Sequence, residues 1–150
     1  MYLFLNRGHV SISLMKFTGK VIKGDSRGRE IGFPTLNLNT DLDLISTLSD
    51  GVYVVVVSIP AKNDGSILPE NKIDSERPMN ALMHFGPIPT FDKTEKRIEI
   101  HILDFEGDLY GREVNVEVFD KIRDITKFAT KELLIEAIQS DVAFAKKYFK

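Results

Sequence analysis

The chain contains no cysteine, which excludes disulfides, thiolate metal sites and a cysteine nucleophile. That absence fits a reducing compartment, so a cytoplasmic location is expected. A long apolar run is missing too. Near the start, Tyr2, Leu3, Phe4 and Leu5 give way to Asn6, Arg7, Gly8 and His9, a stretch too short and too interrupted for a membrane span. It also lacks the basic start and apolar centre of a signal peptide. No membrane partner is therefore expected. Charge of one sign is not in excess: the formal net charge is −2, which argues against a general attraction to nucleic acid or anionic lipid. Local basic clusters can still hold a small phosphate. His9, His84 and His101 fall at no metal-ligand spacing, so no zinc site is expected. No internal repeat, low-complexity segment or interdomain linker is visible. A length of 150 residues suits one domain that buries roughly two thirds of its unfolded surface.

What is present is mostly strand-like. Residues 16–23 read as a short strand that runs into a loop punctuated by Gly24, Gly28 and Gly32. Pro34 disfavours helical backbone at Phe33, so the segment through Leu38 is expected to be extended. Residues 41–50 form a polar connection. Gly51 opens GVYVVVVSI, a β-branched run that reads as a strand buried on both faces. Residues 60–78, with Asn63-Asp64-Gly65 and many charges, read as a long surface loop. Residues 80–85 predict a strand stopped by Gly86, Pro87 and Pro89. Along residues 97–105, Ile98, Ile100 and Ile102 alternate with Glu99, His101 and Leu103, and residues 113–119 alternate again. The period then changes. Leu133, Leu134, Ala137, Ile138, Val142, Ala145 and Phe149 recur at three and four, predicting an amphipathic helix capped by Thr130. Short strands followed by one helix suggest an antiparallel barrel or sandwich with the helix packed against it.

Several residues are candidates for chemistry. The glycine-punctuated loop is neither a GxxxxGK[ST] loop nor a GxGxxG fingerprint. Its glycines would let backbone N–H groups approach a phosphate, with Lys20, Lys23, Arg27 and Arg29 supplying positive charge. A solvated turn explains the same spacing and is the commoner outcome. Thr35 and Asn37, two apart on an extended segment, turn neutral oxygens to one side. Such a pair could hold Mg²⁺ beside phosphates, or simply satisfy local backbone groups. Glu99 and His101 share one face of an apolar strand, where a carboxylate could act as general base or merely face water. Tyr110 could offer an aromatic wall or hairpin packing.

The order of these segments carries more than any one of them. The string Gly19-x-Val21-x-x-Gly24, then Gly28-Arg29-x-x-Gly32-Phe33-Pro34-Thr35-x-Asn37, resembles the signature of the riboflavin kinase family. So do Gly51-Val52-Tyr53, Pro89-Thr90-Phe91, Ile98-Glu99-x-His101-x-Leu103-x-Phe105, Asp108-Leu109-Tyr110-Gly111 and Arg123-x-x-x-Lys127-Phe128. Leu134, Ile138 and Asp141 resemble the family's closing helix. The resemblance implies a mainly β fold, a six-stranded antiparallel Greek-key barrel with a C-terminal α-helix. It implies a domain over residues 16–150 preceded by an N-terminal extension over 1–15, and transfer of the γ-phosphoryl group of Mg-ATP to riboflavin, giving FMN and ADP. In that pattern Thr35 and Asn37 hold Mg²⁺. Lys23, Gly24, Gly28, Arg29, Gly32 and Tyr110 meet the nucleotide. Glu99 is the base on the ribityl hydroxyl, and Arg123, Lys127 and Phe128 serve the flavin.

Three departures stand out. The family often has Arg where this chain has Ile88 and Glu where it has Ile125, and the 60–78 loop replaces a short connection. Many bacterial members also carry an FMN-adenylylating half. Residues 1–15 leave no room for it, so this chain is expected to stop at FMN. A monomer is expected, since a closed barrel leaves few edges for pairing. The competing readings are a β-barrel that binds flavin or nucleotide without turnover, and an interaction domain whose glycine loop is only a surface feature.

Overall fold

Apolar and polar residues alternating at period two build most of the molecule. The computed structural model describes residues 3–6, 9–60, 77–91 and 93–150. Two short strands, β1 (Leu3–Asn6) and β2 (His9–Ile12), pair as a separate two-stranded sheet. Six others are β3 (Met15–Ile22), β4 (Leu36–Asn39), β5 (Gly51–Ser58), β6 (Met79–Ile88), β7 (Lys93–Ile102) and β8 (Glu113–Arg123). They close into a barrel in the order β3-β4-β7-β6-β5-β8, every pairing antiparallel. β5, β6 and β7 are successive neighbours, while β4 returns to pair with β7 rather than β5. This is the expected Greek-key arrangement.

The interior is solid. Ile98, Ile100 and Ile102 of β7 point inward with Tyr53, Val55 and Val57 of β5, Met83 and Phe85 of β6 and Val114, Val116 and Val118 of β8. Fully burying each such side chain contributes about 1.5–3 kcal/mol before chain entropy is counted. The β5 run is buried on its outer face as well, as its composition predicted. Val52, Val54 and Val56 pack with Leu82, Phe119 and Ala145 under α2 (Lys131–Tyr148). Thr130 caps that helix, its Oγ1 accepting from the Leu133 N–H at 3.2 Å. Glu132 in the first turn and Lys146 and Lys147 in the last suit the helix dipole. Among the described residues no helix is long and apolar enough to cross a membrane.

Three expectations need correction or limits. β6 does not stop at Phe85. It continues through Gly86 and Pro87 to Ile88 because an irregularity in its pairing with β7 falls between Gly86 and Ile88, where the N–H that proline lacks is not needed. Gly86 supplies the unusual backbone there, at φ 131°. The glycine-punctuated segment is not all loop: it holds one helical turn, α1 (Arg27–Glu30), entered through Ser26 at φ 56°. Gly32, at φ 88°, ends it, and the Phe33 N–H donates to the Gly28 carbonyl at 2.7 Å. Residues 61–76 of the anticipated 60–78 loop lie outside the described residues.

Candidate active site

The barrel interior is filled with apolar side chains. The chemistry-bearing residues stand instead on the outer wall. On β7 the alternation that sends Ile98 and Ile100 inward sends Glu99 outward. Residues directly opposite each other on neighbouring strands point to the same side. Asn37 of β4 pairs with Glu99, Glu99 with His84 of β6, His84 with Val52 of β5, and Val52 with Arg123 of β8. Strand register thus sets five side chains in one row across the wall.

Two adjoining clefts open over this row. One is floored by Val52, Leu82, His84, Glu99, His101 and Arg123 and walled by residues 25–28, Ile31 and Phe33 on one flank. On its other flank stand Ile88, Pro89, Thr90, Ile125, Thr126 and Phe128, with Leu134, Ile138 and Asp141 of α2. The second cleft is lined by Lys23, Gly24, Arg29, Thr35, Asn37, Asp108 and Tyr110 among others. Ser26 and Thr35 line both, so Thr35 stands at their junction.

The glycines are fitted to this junction. A Cβ on Gly24 would lie 1.8 Å from Asn37 Nδ2, and one on Gly28 would lie 2.3 Å from the Phe33 carbonyl oxygen and 3.3 Å from Thr35 Oγ1. Only a residue without a side chain lets the segment settle onto Thr35 and Asn37 this closely. The far end of the segment is tied down too: His101 Nδ1 lies 2.8 Å from the Pro34 carbonyl, and its ring meets Phe33 edge-on at 5.7 Å. A carbonyl only accepts, so Nδ1 carries the proton. The Lys23 ammonium sits 5.6 Å over the Tyr110 ring, which is 56% exposed.

Burial pushes the Glu99 carboxyl above its ordinary value; Arg97 and Arg27 oppose the shift and Asp25 adds to it. A carboxylate raised toward neutral pH is a better proton acceptor than a fully solvated one. His84 is shifted the other way, downward, chiefly by burial, although its Nε2 lies 2.8 Å from the Pro87 carbonyl. Arg123 is gripped by Asp141 of α2, with Nε 3.0 Å from both carboxylate oxygens and Nη2 2.9 Å from Oδ2. Its guanidinium also lies 5.6 Å from the centre of the Phe128 ring.

Of the residues singled out in the sequence, Thr35, Asn37, Lys23, Gly24, Arg29 and Tyr110 gather in one cleft, and Gly28, Glu99, Arg123 and Phe128 in the other. Gly32 and Lys127 line neither. Gly32 serves the backbone turn, since a Cβ there would meet nothing within 4 Å. Sequence reasoning gave no site role to Asp25, to His84 or to Thr90, although Thr90 stands in the Pro89-Thr90-Phe91 motif. His84 shares the outward parity of Leu82 on β6 and could have been found from it. Asp25 sits in a loop and Thr90 in a single 3₁₀ turn, Pro89–Phe91, with no period to read. Among the described residues no group of three or more His, Cys, Asp or Glu is placed to hold a metal. The neutral oxygens of Thr35 and Asn37 fit a hard cation that draws its other ligands from phosphate and water.

Comparison with known proteins agrees with this geometry. Residues 12–149 match the family model for riboflavin kinase, the flavokinase domain. A trifunctional protein RibF/MnmA of Mycoplasmoides gallisepticum is 35% identical over 87% of this chain and 18% of its own length. A bifunctional riboflavin kinase/FMN adenylyltransferase of Haemophilus influenzae is 33% identical over 87% of this chain and 37% of its own. This chain therefore spans well under half of these curated relatives. The crystal structure of riboflavin kinase from Trypanosoma brucei superposes with a TM-score of 0.59 at 25% identity, covering 89% of this chain and 78% of that one. The match runs through both clefts and through α2, which walls the apolar one, and on that ground the chain belongs to the riboflavin kinase family.

Proposed function

We propose that this chain is an ATP:riboflavin 5′-phosphotransferase, with residues 16–150 as the kinase domain and residues 1–15 as an extension outside it. The observation that carries the reading is the register pairing of Glu99 with Asn37 beside Thr35, which with Ser26 lines both clefts. A base from the apolar cleft is thereby set next to the oxygens suited to a metal-bound triphosphate.

In this reading the apolar cleft takes riboflavin. Arg123 and Phe128 face it, Lys127 falls between Thr126 and Phe128, which line it, and Ile88 and Ile125 make its wall apolar. The second cleft takes the nucleotide, with Lys23 and Arg29 neutralising phosphate charge, backbone N–H groups of residues 24–32 approaching the phosphates, and Tyr110 against the base or ribose. Thr35 and Asn37 would hold Mg²⁺, which when bound screens charge on the phosphates. Glu99 accepts the proton of the terminal ribityl hydroxyl as that oxygen forms its bond to the γ-phosphorus. The bond from phosphorus to the β,γ-bridging oxygen breaks, and ADP leaves with its electron pair. Phosphoryl transfer asks the protein for alignment and charge stabilisation more than covalent chemistry. Packing the apolar cleft between α1, residues 125–128 and α2 limits water at the reacting atoms. We place the reaction in the cytoplasm and expect a monomer, with neither nucleic acid nor membrane as partner.

Incubation of the purified protein with riboflavin, ATP and Mg²⁺, followed by chromatography of the flavins, tests the reading. FMN should form only when all three are present. Riboflavin bound but left unphosphorylated by folded protein would point instead to a binding module.

A further inference from the structure

Asp141 is the buried charged residue of the described core, 7% exposed, and the chemistry proposed above makes no use of it. It lies on α2, where a surface carboxylate would serve the helix equally well. Here it turns into the wall and takes the Nε and Nη2 edge of Arg123. Nη1 donates to the Asp124 carbonyl at 3.2 Å. A guanidinium has five N–H groups in a fixed plane, so these bonds leave one N–H on each Nη unspent among the described residues. The same plane meets Phe128, whose backbone N–H donates to Thr90 Oγ1 at 3.2 Å. Contacts therefore run from α2 through Arg123 to residues 124–128 and on to the turn after β6, and Arg123, Asp141, Phe128 and Thr90 all line the apolar cleft. Arg123 stands three strand spacings from Glu99 along the row, roughly 14 Å at about 4.8 Å each.

Resting on the riboflavin reading, we infer that Asp141 is a positioning residue. It fixes the Arg123 plane so that its remaining N–H groups face acceptors on the part of the flavin farthest from the transferred hydroxyl, and so that Phe128 stays over the cleft. Asp141 touches no reacting atom. Its effect belongs to flavin binding, not to the nucleotide or the chemical step.

The test is steady-state kinetics on Asp141→Asn, with each substrate varied in turn. An amide replaces a charge-assisted fork and sets an N–H₂ group against the guanidinium. Loss of charged hydrogen bonds of this kind predicts a rise in KM for riboflavin of about tenfold or more, with KM for ATP and kcat within about twofold. Tyr148→Phe serves as the structural control, because it removes another bond between α2 and the barrel, Tyr148 Oη to Asp120 at 2.7 Å. It should leave KM for riboflavin unchanged. Arg123→Gln should raise that KM, and adding Asp141→Asn to it should change little more. Equal rises for both substrates, additive effects in the double variant, or a matching rise in Tyr148→Phe would overturn the inference. If Asp141→Asn does not fold, Asp141→Glu, which keeps the charge on a longer arm, should show the same riboflavin-selective rise at smaller size; an unchanged KM there overturns it. Failure of the wild-type chain to make FMN would be a different result, since it removes the function itself.

Discussion

A Cβ built on Gly24 lies 1.8 Å from Nδ2 and 2.3 Å from Cγ of Asn37. Comfortable contact needs roughly 3.5 Å, so in Gly24→Ala the Asn37 amide must retreat by about 1.7 Å or the loop must lift by as much. The clash is with the end of a side chain, and the fold can absorb it. Overpacking of this kind costs about 1–3 kcal/mol, toward the lower end where a side chain can swing away. For a domain of this size that is a fall in Tm of about 2–4 °C per kcal/mol. The functional cost is larger. A misplacement near 1 Å in an aligned phosphoryl-transfer site costs about a hundredfold in rate, and Asn37 is one of two residues assigned to the metal. Gly24→Ala should therefore lose about 10²-fold in kcat/KM for ATP, while circular dichroism and riboflavin binding stay close to wild type. Kinetics with ATP varied, beside a thermal melt, provide the assay. A variant with wild-type kcat/KM for ATP would refute the reasoning, as would one whose lost activity is all explained by lost folded protein.

Other outcomes follow from the same structure. The folded Glu99 pKa is raised by burial, so the stability linked to that carboxyl is full below its ordinary value and is lost as pH rises through the raised one. Glu99→Gln cannot ionise and should gain on wild type in thermal melts as pH climbs through that window; a difference constant with pH contradicts this. FMN formation should likewise decline on the acid side through a carboxyl pKa raised above the ordinary value, read from a kcat/KM profile. Thr130→Ala removes the α2 cap and should cost about 1 kcal/mol in a denaturant titration; an unchanged midpoint argues against the cap. His101→Phe keeps the edge contact with Phe33 but loses the bond to Pro34, and should cost about 0.5–1.5 kcal/mol. A neutral result would leave that tether without energetic weight.

The barrel was legible because period-two alternation marks strands locally. Ile98, Ile100 and Ile102 fixed the face of β7, and the doubly apolar β5 run announced a helix or sheet on its outer side. The α2 cap was equally local, resting on Thr130 and the change of period after it. What could not be read was register. No spacing in the sequence says that Asn37, Glu99, His84 and Arg123 fall in one row, because each pairing joins residues brought together only by the barrel's closure. The α1 turn escaped notice because four residues interrupted by Gly28 are too few to show a helical period, and a single turn is held by Ser26 and Gly32 in left-handed backbone. The strand end at Phe85 was misjudged because Gly86 and Pro87 signal a turn in isolation, whereas an irregular pairing accommodates both.

The central claim is that Glu99 takes the proton of the flavin hydroxyl at the junction of the two clefts. Its most direct test compares FMN formation by wild type and Glu99→Gln under saturating riboflavin and Mg-ATP, with nucleotide binding measured on both. The account predicts FMN from wild type only with Mg²⁺ and ATP, a loss of about 10²–10⁴-fold in Glu99→Gln, and nucleotide binding intact. Turnover by Glu99→Gln close to that of wild type would contradict it.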